Sequence, residues 1–369
     1  MTTPALQRLR EKFPQAQIGI LTQEKLRDLW RHHPSVDEVI TFSPRDTVWS
    51  IASRIRGFEV RDQKRASFDL GLILPNSPRS ALEFWLARIP RRIGYAKPWR
   101  SWLLTEKIAV RPGHVAMHKR STKEIKQVLR DDRKEATRAV NDAASHQIYD
   151  YLRLTSVLGA NSEPVAPQLF VSEEEVEASE KKWLAAARDK GLKLSSEKAV
   201  TFLGLNPGAA YGPAKRWPAE NFAAAVRDVS RTMRDCVWLA MGGMEDERLC
   251  EQIAASGGSN VLNLAGKTTL RELMALLKAC RVLLTNDSGP MHIAAALGTP
   301  VVVAFGSTAP ELTGPGLPND SRHYLLKSEA PCSPCFRRTC PIDLRCMRGI
   351  SVGSIVESVL SSVFRAVKR

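Results

Sequence analysis

Three polar residues that suit phosphate chemistry, Asp287, Ser288 and His292, crowd one predicted turn and the start of the helix behind it. The surrounding residues 282–307 read VLLTNDSGPMHIAAALGTPVVVAFGS, which predicts strand, turn, helix, turn and strand. Pro290 suits the first helical turn, and Asp287 or Ser288 can cap its free N–H donors. The helix therefore directs partial positive charge out of the carboxyl edge of a parallel sheet, where phosphates bind. The structural alternative is an ordinary βαβ unit.

A second predicted loop brings a cation to the same sheet edge. Residues 206–218 read NPGAAYGPAKRWP, follow a predicted strand at 199–205 and end where a helix begins. Lys215 in this loop supplies a compact positive charge that can offset a diphosphate without a metal. No Asp-x-Asp motif stands at a strand end, which favours metal-independent chemistry. The alternative is a lone surface lysine.

A Gly-Gly turn ends the next predicted strand, 237–241. Gly242 and Gly243 precede Glu245, and acidic residues at this position commonly bind the hydroxyls of a ribose. On its own this turn is weak evidence for a nucleoside site.

Four cysteines with the spacing Cys332-x2-Cys335-x4-Cys340-x5-Cys346 stand among Pro, Arg and Ser residues. In a cytoplasmic protein such a cluster suggests a metal before a disulfide. The spacing matches no standard zinc or iron–sulfur signature, so both a metal site and a thiol-rich loop that can form disulfides stay open.

Length and composition predict two domains and no membrane span. A chain of 369 residues with 43% hydrophobic residues suits two domains of about 150 to 180 residues each. No run approaches the roughly 18 to 20 apolar residues that a spanning helix needs, and the start of the chain carries no apolar signal core. We expect a cytoplasmic protein.

Positive charge is concentrated in the first half. Residues 1–170 hold 29 Lys and Arg against 18 Asp and Glu, whereas residues 171–369 hold 25 against 21. The densest basic region, residues 85–120, combines three tryptophans with nine cations: Trp85, Trp99, Trp102, Arg88, Arg91, Arg92, Lys97, Arg100, Lys107, Arg111, Lys119 and Arg120. No nucleic-acid motif accompanies them, so a membrane surface and an anionic glycolipid rank above RNA or DNA. A solvated loop with core tryptophans is the alternative.

A polar turn also opens a helix in the first half. Residues 74–82 read LPNSPRSAL after a predicted strand at 69–74, which places Asn76, Ser77 and Arg79 at a sheet edge. Arg79 can contact an acidic acceptor. Alternatively, Ser77 caps the helix and Arg79 is solvated.

These motifs carry a resemblance to a known family. DSGPMHIAAALGTPVVVAFG and NPGA…AKRWP resemble bacterial lipopolysaccharide heptosyltransferases, and LPNSPRSAL closely resembles the heptosyltransferase II subfamily. The resemblance implies an α/β fold of the GT-B type, with two facing Rossmann-like doubly wound domains and a C-terminal helix that crosses back. Residues 1–165 would form the acceptor domain, 166–350 the nucleotide-sugar domain and 351–369 the helix.

The resemblance also implies a reaction. Heptose would pass from ADP-heptose to the heptosyl-Kdo2-lipid A inner core, with inversion and with no cofactor or metal, at the inner face of the inner membrane. Lys215 and Asp287 would be catalytic, and Asn76, Ser77 and Arg79 would bind the acceptor. The residues implied for donor binding are Lys215, Glu245, Thr268, Asp287, Ser288, Gly289 and His292.

In this family a strand and a Gly-Asp loop precede the helix that TTPAL resembles, and the loop carries the presumed catalytic base. The match places that aspartate upstream of Met1, so we expect either a start assigned too far downstream or a form that binds donor without turnover. Three further alternatives stay open: heptosyltransferase I or III, a GT-B-like sugar-nucleotide epimerase, and an inactive donor-binding protein.

Overall fold

A computed structural model describes residues 1–58, 68–130, 143–192 and 200–365 of the chain. It divides into two compact units, which we call the N-terminal and C-terminal units. The N-terminal unit comprises Thr2–His114 and Gln147–Val165; the C-terminal unit comprises Met1, Val115–His146 and Ala166–Arg369. The later boundary between the units lies at residue 165, and the segment from Val115 to His146 groups with the C-terminal unit.

Helices and parallel strands alternate along both units. The strands are β1 Gly19–Gln23, β2 Glu38–Phe42, β3 Leu70–Ile73, β4 Arg91–Tyr95, β5 Glu106–Ile108, β6 Thr201–Asn206, β7 Cys236–Ala240, β8 Val261–Asn263, β9 Leu283–Asn286, β10 Val301–Phe305 and β11 Tyr324–Lys327. The helices are α1 Thr3–Lys12, α2 Val48–Arg56, α3 Pro78–Leu86, α4 Thr122–Arg130, α5 Ile148–Ser156, α6 Glu173–Asp189, α7 Ala219–Thr232, α8 Glu247–Gly257, α9 Leu270–Ala279, α10 Gly289–Ala296, α11 Pro310–Thr313, α12 Arg345–Arg348 and α13 Val352–Arg365. The predicted α/β class is confirmed.

Two small parallel sheets form the N-terminal unit. One pairs β1 with β2, and the other has the order β3-β4-β5. Helices α2 and α3 pack side by side, with Ile51 and Ile55 buried against Phe84. Residues 24–30 form a 3-10 helix. Residues 122–130 form α4, and residues 131–142 lie outside the described part.

A six-stranded parallel sheet organises the C-terminal unit. Its order is β11-β10-β9-β6-β7-β8, so the chain proceeds outward in one direction from β6 and in the other from β9. Every residue of β7 and β10 is buried, which explains their unbroken apolar sequences. The point between β6 and β9 is the topological switch, where ligands bind outside the carboxyl ends of the strands. The predicted phosphate turn and the Lys215 loop follow these two strands.

The last helix completes the core of the same unit. Ile355, Val359 and Val363 of α13 are buried, and α13 packs against α7, β10 and β11. Within the described ranges, the search for a helix long and apolar enough to cross a membrane found none.

We expect Phe222→Ala to destabilise the C-terminal unit by about 3–5 kcal/mol, because truncating a fully buried ring leaves a cavity. Phe222 has no exposed surface, and its ring meets that of Trp217 edge to face at 5.0 Å between centroids. Urea unfolding followed by near-ultraviolet circular dichroism measures the shift. The matched control is Phe364→Ala on α13, where the ring is 52% exposed. Equal shifts for both variants would contradict the assigned core.

Candidate donor site

The loop that carries Lys215 is held at both ends by one buried amide. Asn286, the last residue of β9, accepts a hydrogen bond at Oδ1 from the Trp217 backbone N–H at 3.0 Å. Its Nδ2 donates to the carbonyl of Pro207 at 2.7 Å. Asn286 has no exposed surface, so both bonds are shielded from water. Sequence reasoning missed this role, although a polar residue inside an apolar strand end was the available signal.

Lys215 and Asp287, predicted from separate loops, meet at the switch point. Lys215 Nζ lies 2.6 Å from Asp287 Oδ2, and the two side chains are 13% and 7% exposed. The hydroxyl of Thr308, after β10, donates to the same oxygen at 2.6 Å. Lys215 Nζ also stands 4.7 Å from the centre of the Tyr211 ring. The structure therefore fixes a cation at the carboxyl edge of the sheet; Thr308 and Tyr211 were not predicted.

The N-terminus of the helix after Asp287 is open, and the predicted side-chain cap from Ser288 does not form. Ser288 occupies the cap position of α10 and makes no side-chain cap. Its hydroxyl instead donates to Asn206 Oδ1 at 3.0 Å, in a network that includes Thr285. Of the two predicted caps, Ser288 does not act as one, because its hydroxyl bonds to Asn206 instead of to an N–H of the first turn. A Cβ added at Gly289 would meet nothing within 4 Å, so space remains before the first turn of α10.

Asp246, the residue after the predicted ribose-binding acid Glu245, is buried. Glu245 is exposed, whereas Asp246 is buried and lies 3.3 Å from Arg216. A Cβ on Gly208 would come within 2.2 Å of Asp246 Oδ2, so this close approach requires glycine. Burial raises the pKa of Asp246, and the positive charge of Arg216 opposes the shift. Sequence reasoning missed both residues.

Thr268 lies on the loop beside this turn and is partly exposed. The Gly266 N–H donates to the Gly242 carbonyl at 3.0 Å, which joins the two loops. Gly266 has a φ of +72°, a conformation that favours glycine, and a Cβ there would come within 2.8 Å of Met244. The predicted nucleoside residues therefore share one edge of the sheet.

Comparisons with known proteins decide the family. The model of glycosyltransferase family 9 (heptosyltransferase) matches residues 133–345. Lipopolysaccharide heptosyltransferase 2 of Salmonella typhimurium is 31% identical over 83% of this chain and 79% of its own. The Escherichia coli protein of that name is 30% identical over 83% and 79%. The chain belongs to glycosyltransferase family 9.

Solved structures show the same fold. Heptosyltransferase II of Escherichia coli superposes with a TM-score of 0.71 and 23% identity over 99% of this chain and 95% of that one. A family 9 glycosyltransferase of Veillonella parvula gives 0.73 and 20% over 99% and 93%. The predicted GT-B fold and the predicted assignment to the lipopolysaccharide heptosyltransferases are confirmed, and this family 9 member is a glycosyltransferase.

The predicted acceptor residues of this family 9 enzyme follow β3. Ser77 caps α3, since its hydroxyl accepts the Ser80 N–H. Arg79 is fixed rather than simply solvated: it donates to Glu83 Oε1 at 2.9 Å and to the Asp46 carbonyl at 2.6 Å. Asn76 is exposed. The structure thus favours the capping role for Ser77 and leaves acceptor binding by these residues a prediction.

The four clustered cysteines line one small cavity beneath the donor site. All four are free thiols, and the cavity of about 10 Å³ is also bordered by Ser307 and Ala214. The described residues contain no group of three or more His, Cys, Asp or Glu side chains that could hold a metal ion. Whether these thiols bind a metal or form a thiol-rich loop stays a prediction. Burial, with repulsion from the other cysteines second, raises the pKa of Cys346 to about 12.

The segment that carries these thiols supports the Lys215 loop. The N–H groups of Cys335 and Phe336 donate to the Ser307 carbonyl at 3.2 and 2.7 Å. The carbonyl of Phe336 accepts the Tyr211 hydroxyl at 2.7 Å, and the Arg338 carbonyl accepts the Ala214 N–H at 2.9 Å. The cysteine segment therefore positions the residues on either side of Lys215.

We expect a double-mutant cycle to show that the Lys215–Asp287 pair is strongly coupled. Lys215→Met and Asp287→Asn should each cost about 3–5 kcal/mol, because each removes one partner of a buried pair. The double variant should cost about 1–3 kcal/mol less than the sum, as measured by urea unfolding. The exposed pair of Lys182 and Glu272, also 2.6 Å apart, is the control and should couple by less than about 1 kcal/mol. Equal coupling in both cycles would contradict the role of burial.

We expect the imidazole of His292 to stay neutral far below neutral pH. It is partly buried on α10, and burial, the largest cause, lowers its pKa from 6.5 to about 3. Because the unfolded chain takes up this proton first, stability should fall as the pH drops from about 6.5 toward 3. His292→Gln should reduce this loss of stability at lower pH. The urea concentration at the unfolding midpoint, measured between pH 7 and pH 5, gives the comparison. The exposed His32 gives the control, His32→Gln; identical slopes for the two variants would oppose the assignment.

Proposed function

We propose that this enzyme transfers a heptose from ADP-heptose to the heptosylated inner core of lipopolysaccharide, as heptosyltransferase II does. Two features support ADP-heptose as the donor. One is the start of α10 at the topological switch point, where Lys215 lies close by and an anion can bind. The other is the neighbouring loop edge, where the carboxyl group of Asp246 is buried. The relatives' names, lipopolysaccharide heptosyltransferase 2, support the acceptor class. The observation that carries the proposal is the pairing of Lys215 with Asp287 beside the uncapped start of α10.

The donor diphosphate binds at the N-terminus of α10, beside Ser288 and Gly289. Negative charge builds up on this leaving group as the bond to the anomeric carbon breaks, so cations and N–H donors that are already in place lower the barrier. Lys215 supplies that charge, and no metal ion is required for it. In the structure Asp287 balances Lys215, which keeps the ammonium in position before the donor arrives.

Asp287 and His292 lie toward the sugar. Lys215 and Thr308 both donate to Oδ2 of Asp287, so Oδ1 is the oxygen that we assign to a heptose hydroxyl. A neutral His292 accepts or donates a hydrogen bond without adding charge. Asp246, Glu245 and Thr268 mark the nucleoside side of the site.

The acceptor binds to the N-terminal unit, with Asn76, Ser77 and Arg79 at the carboxyl end of β3. A lipid-anchored acceptor requires the enzyme to work at a membrane, so we propose a peripheral position on the cytoplasmic face of the inner membrane. Deprotonation of the acceptor hydroxyl calls for a carboxylate base. Lys215, Asp287 and His292, by contrast, act on the donor.

The test is a transfer assay with the purified chain, ADP-heptose and delipidated heptosyl-Kdo2 acceptor. Release of ADP together with a product heavier by one heptose is expected. Isomerised donor in the absence of acceptor would establish an epimerase instead. Tight donor binding by calorimetry without product would establish a donor-binding protein, and either result overturns the proposal.

We expect Lys215→Gln to lower kcat by about 10²–10³-fold, the usual effect of losing one charge-stabilising donor in the transition state. Lys215→Arg should restore part of the rate, since it keeps the charge but not its compact shape. Steady-state ADP release measures both, and circular dichroism checks the fold. The control is Lys181→Gln on α6, whose side chain is 83% exposed. Turnover by Lys215→Gln at the control's rate would contradict the role.

A further inference from the structure

Exposed tryptophan is confined to the N-terminal unit. All eight tryptophans lie in the described ranges, and four are strongly exposed: Trp49 (65%), Trp85 (44%), Trp99 (85%) and Trp102 (66%). The three tryptophans of the C-terminal unit, Trp183, Trp217 and Trp238, are buried. Exposed indoles are costly in water, and a cluster of them marks a surface that binds something.

Three of the exposed tryptophans and two cations lie on two short segments of the chain, residues 85–88 and 97–102, which meet through the rings of Trp85 and Trp102. The rings of Trp85 and Trp102 meet edge to face with centroids 6.2 Å apart. The N–H of Arg88 donates to the Trp85 carbonyl at 3.0 Å, and the turn that carries Trp99 begins at Lys97, whose carbonyl accepts the Arg100 N–H at 3.4 Å. We call Trp85, Arg88, Lys97, Trp99 and Trp102 the Trp–Arg patch.

One partly buried guanidinium, that of Arg92, ties together the two backbone segments that carry the Trp–Arg patch. Arg92 donates from Nε to the Leu103 carbonyl at 2.7 Å and from one terminal nitrogen to the Ile89 carbonyl at 2.5 Å. Leu103 follows Trp102 in the sequence, and Ile89 follows Arg88. The backbone beneath the patch is therefore held in place.

The Trp–Arg patch carries positive charge, and the segment that forms it supplies no acidic residue to balance that charge. Residues 84–105 contain no Asp or Glu. The flanking acids are already paired, Glu83 with Arg79 and Glu106 with Arg91. Two other cations of the basic region are also committed: Arg100 is buried and donates to the Pro75 carbonyl, and Arg111 pairs with Asp150. Arg88 and Lys97 thus give the patch its charge.

We infer that the Trp–Arg patch docks this enzyme on an anionic lipid bilayer, with the indoles in the headgroup layer and Arg88 and Lys97 against lipid phosphates. Indole rings favour the interface between water and hydrocarbon, and basic residues are attracted to an anionic leaflet. A second copy of the chain is a poorer occupant, because a symmetric contact would bring positive charge against positive charge. The inference rests on the proposed function, since that function places the acceptor in a membrane.

The experiment is sedimentation of the full chain with vesicles of phosphatidylcholine alone or with 30% phosphatidylglycerol, at low salt. Wild type should partition into the anionic vesicles with a blue shift of tryptophan emission. Trp99→Ala, at the most exposed site, should lower the partition coefficient several-fold, and Trp85→Ala with Trp99→Ala and Trp102→Ala about tenfold or more. Arg88→Gln should lower it about fivefold, and 0.5 M salt should weaken binding further.

Matched controls separate the patch from general composition. Trp49→Ala removes an equally exposed indole on α2, and Arg27→Gln removes an exposed charge elsewhere in the same unit; both should bind vesicles as wild type does. Transfer to a delipidated acceptor in solution should be unchanged in Trp99→Ala, which separates failure of docking from failure of the transfer reaction.

Three outcomes overturn the inference. One is equal or absent binding to neutral and anionic vesicles. Another is a loss in Trp49→Ala or Arg27→Gln that matches the loss in the patch variants. The third is a wild-type dimer in solution that Trp99→Ala dissociates, which would make a second copy the occupant.

Discussion

The donor site depends on the side-chain amide of Asn286. Its two hydrogen bonds, to Trp217 and Pro207, close the loop after β6 onto the end of β9. The loop leaves the sheet at Pro207 and returns to its edge at Trp217. The amide therefore fixes both ends of the segment that carries Lys215. Lys215 can then reach Asp287, the residue directly after Asn286. One buried polar group thereby links the sheet topology to the placement of a charge.

Closing the loop also offsets the free-energy cost of burying the Lys215–Asp287 pair. A buried ion pair is weak evidence for stability, because desolvation of both charges offsets most of their attraction. It is better understood here as preorganisation, because the ammonium is already largely buried beside Asp287, the residue before the N-cap of α10. Thr308 and the Tyr211 ring also contact the pair, and the Phe336 carbonyl of the cysteine segment accepts the Tyr211 hydroxyl. The four thiols line a small cavity within this segment.

The parts of this architecture that follow from local sequence were predictable, and those that follow from tertiary contacts were not. The last strand predicted within residues 282–307 is β10, residues 301–305, because its unbroken apolar run suits a strand buried on both faces. The capping boxes at Ser172 and Thr269 also formed as local chemistry demands. Ser288 does not cap α10, because its hydroxyl bonds to Asn206 instead. Asn206 lies 82 residues away in the sequence, so no local pattern could predict this contact. Thr308 and Asp246 were missed for the same reason: each becomes significant only when another loop folds against it.

The two units divide the chemistry according to the physical state of the substrates. In the proposed function, a water-soluble nucleotide sugar binds to the C-terminal unit, whose tryptophans are buried in the core. A lipid-anchored acceptor stays in a bilayer, which gives the N-terminal unit of that proposal a reason to expose indoles and cations. The charge excess of residues 1–170 follows the same division, but only part of it is available at the surface, since Arg79, Arg91, Arg100 and Arg111 are occupied within the fold. Counting charges therefore located the positive excess in the first half of the chain, whereas the ion pairs and the exposure of single side chains were needed to choose the surface that we propose for docking.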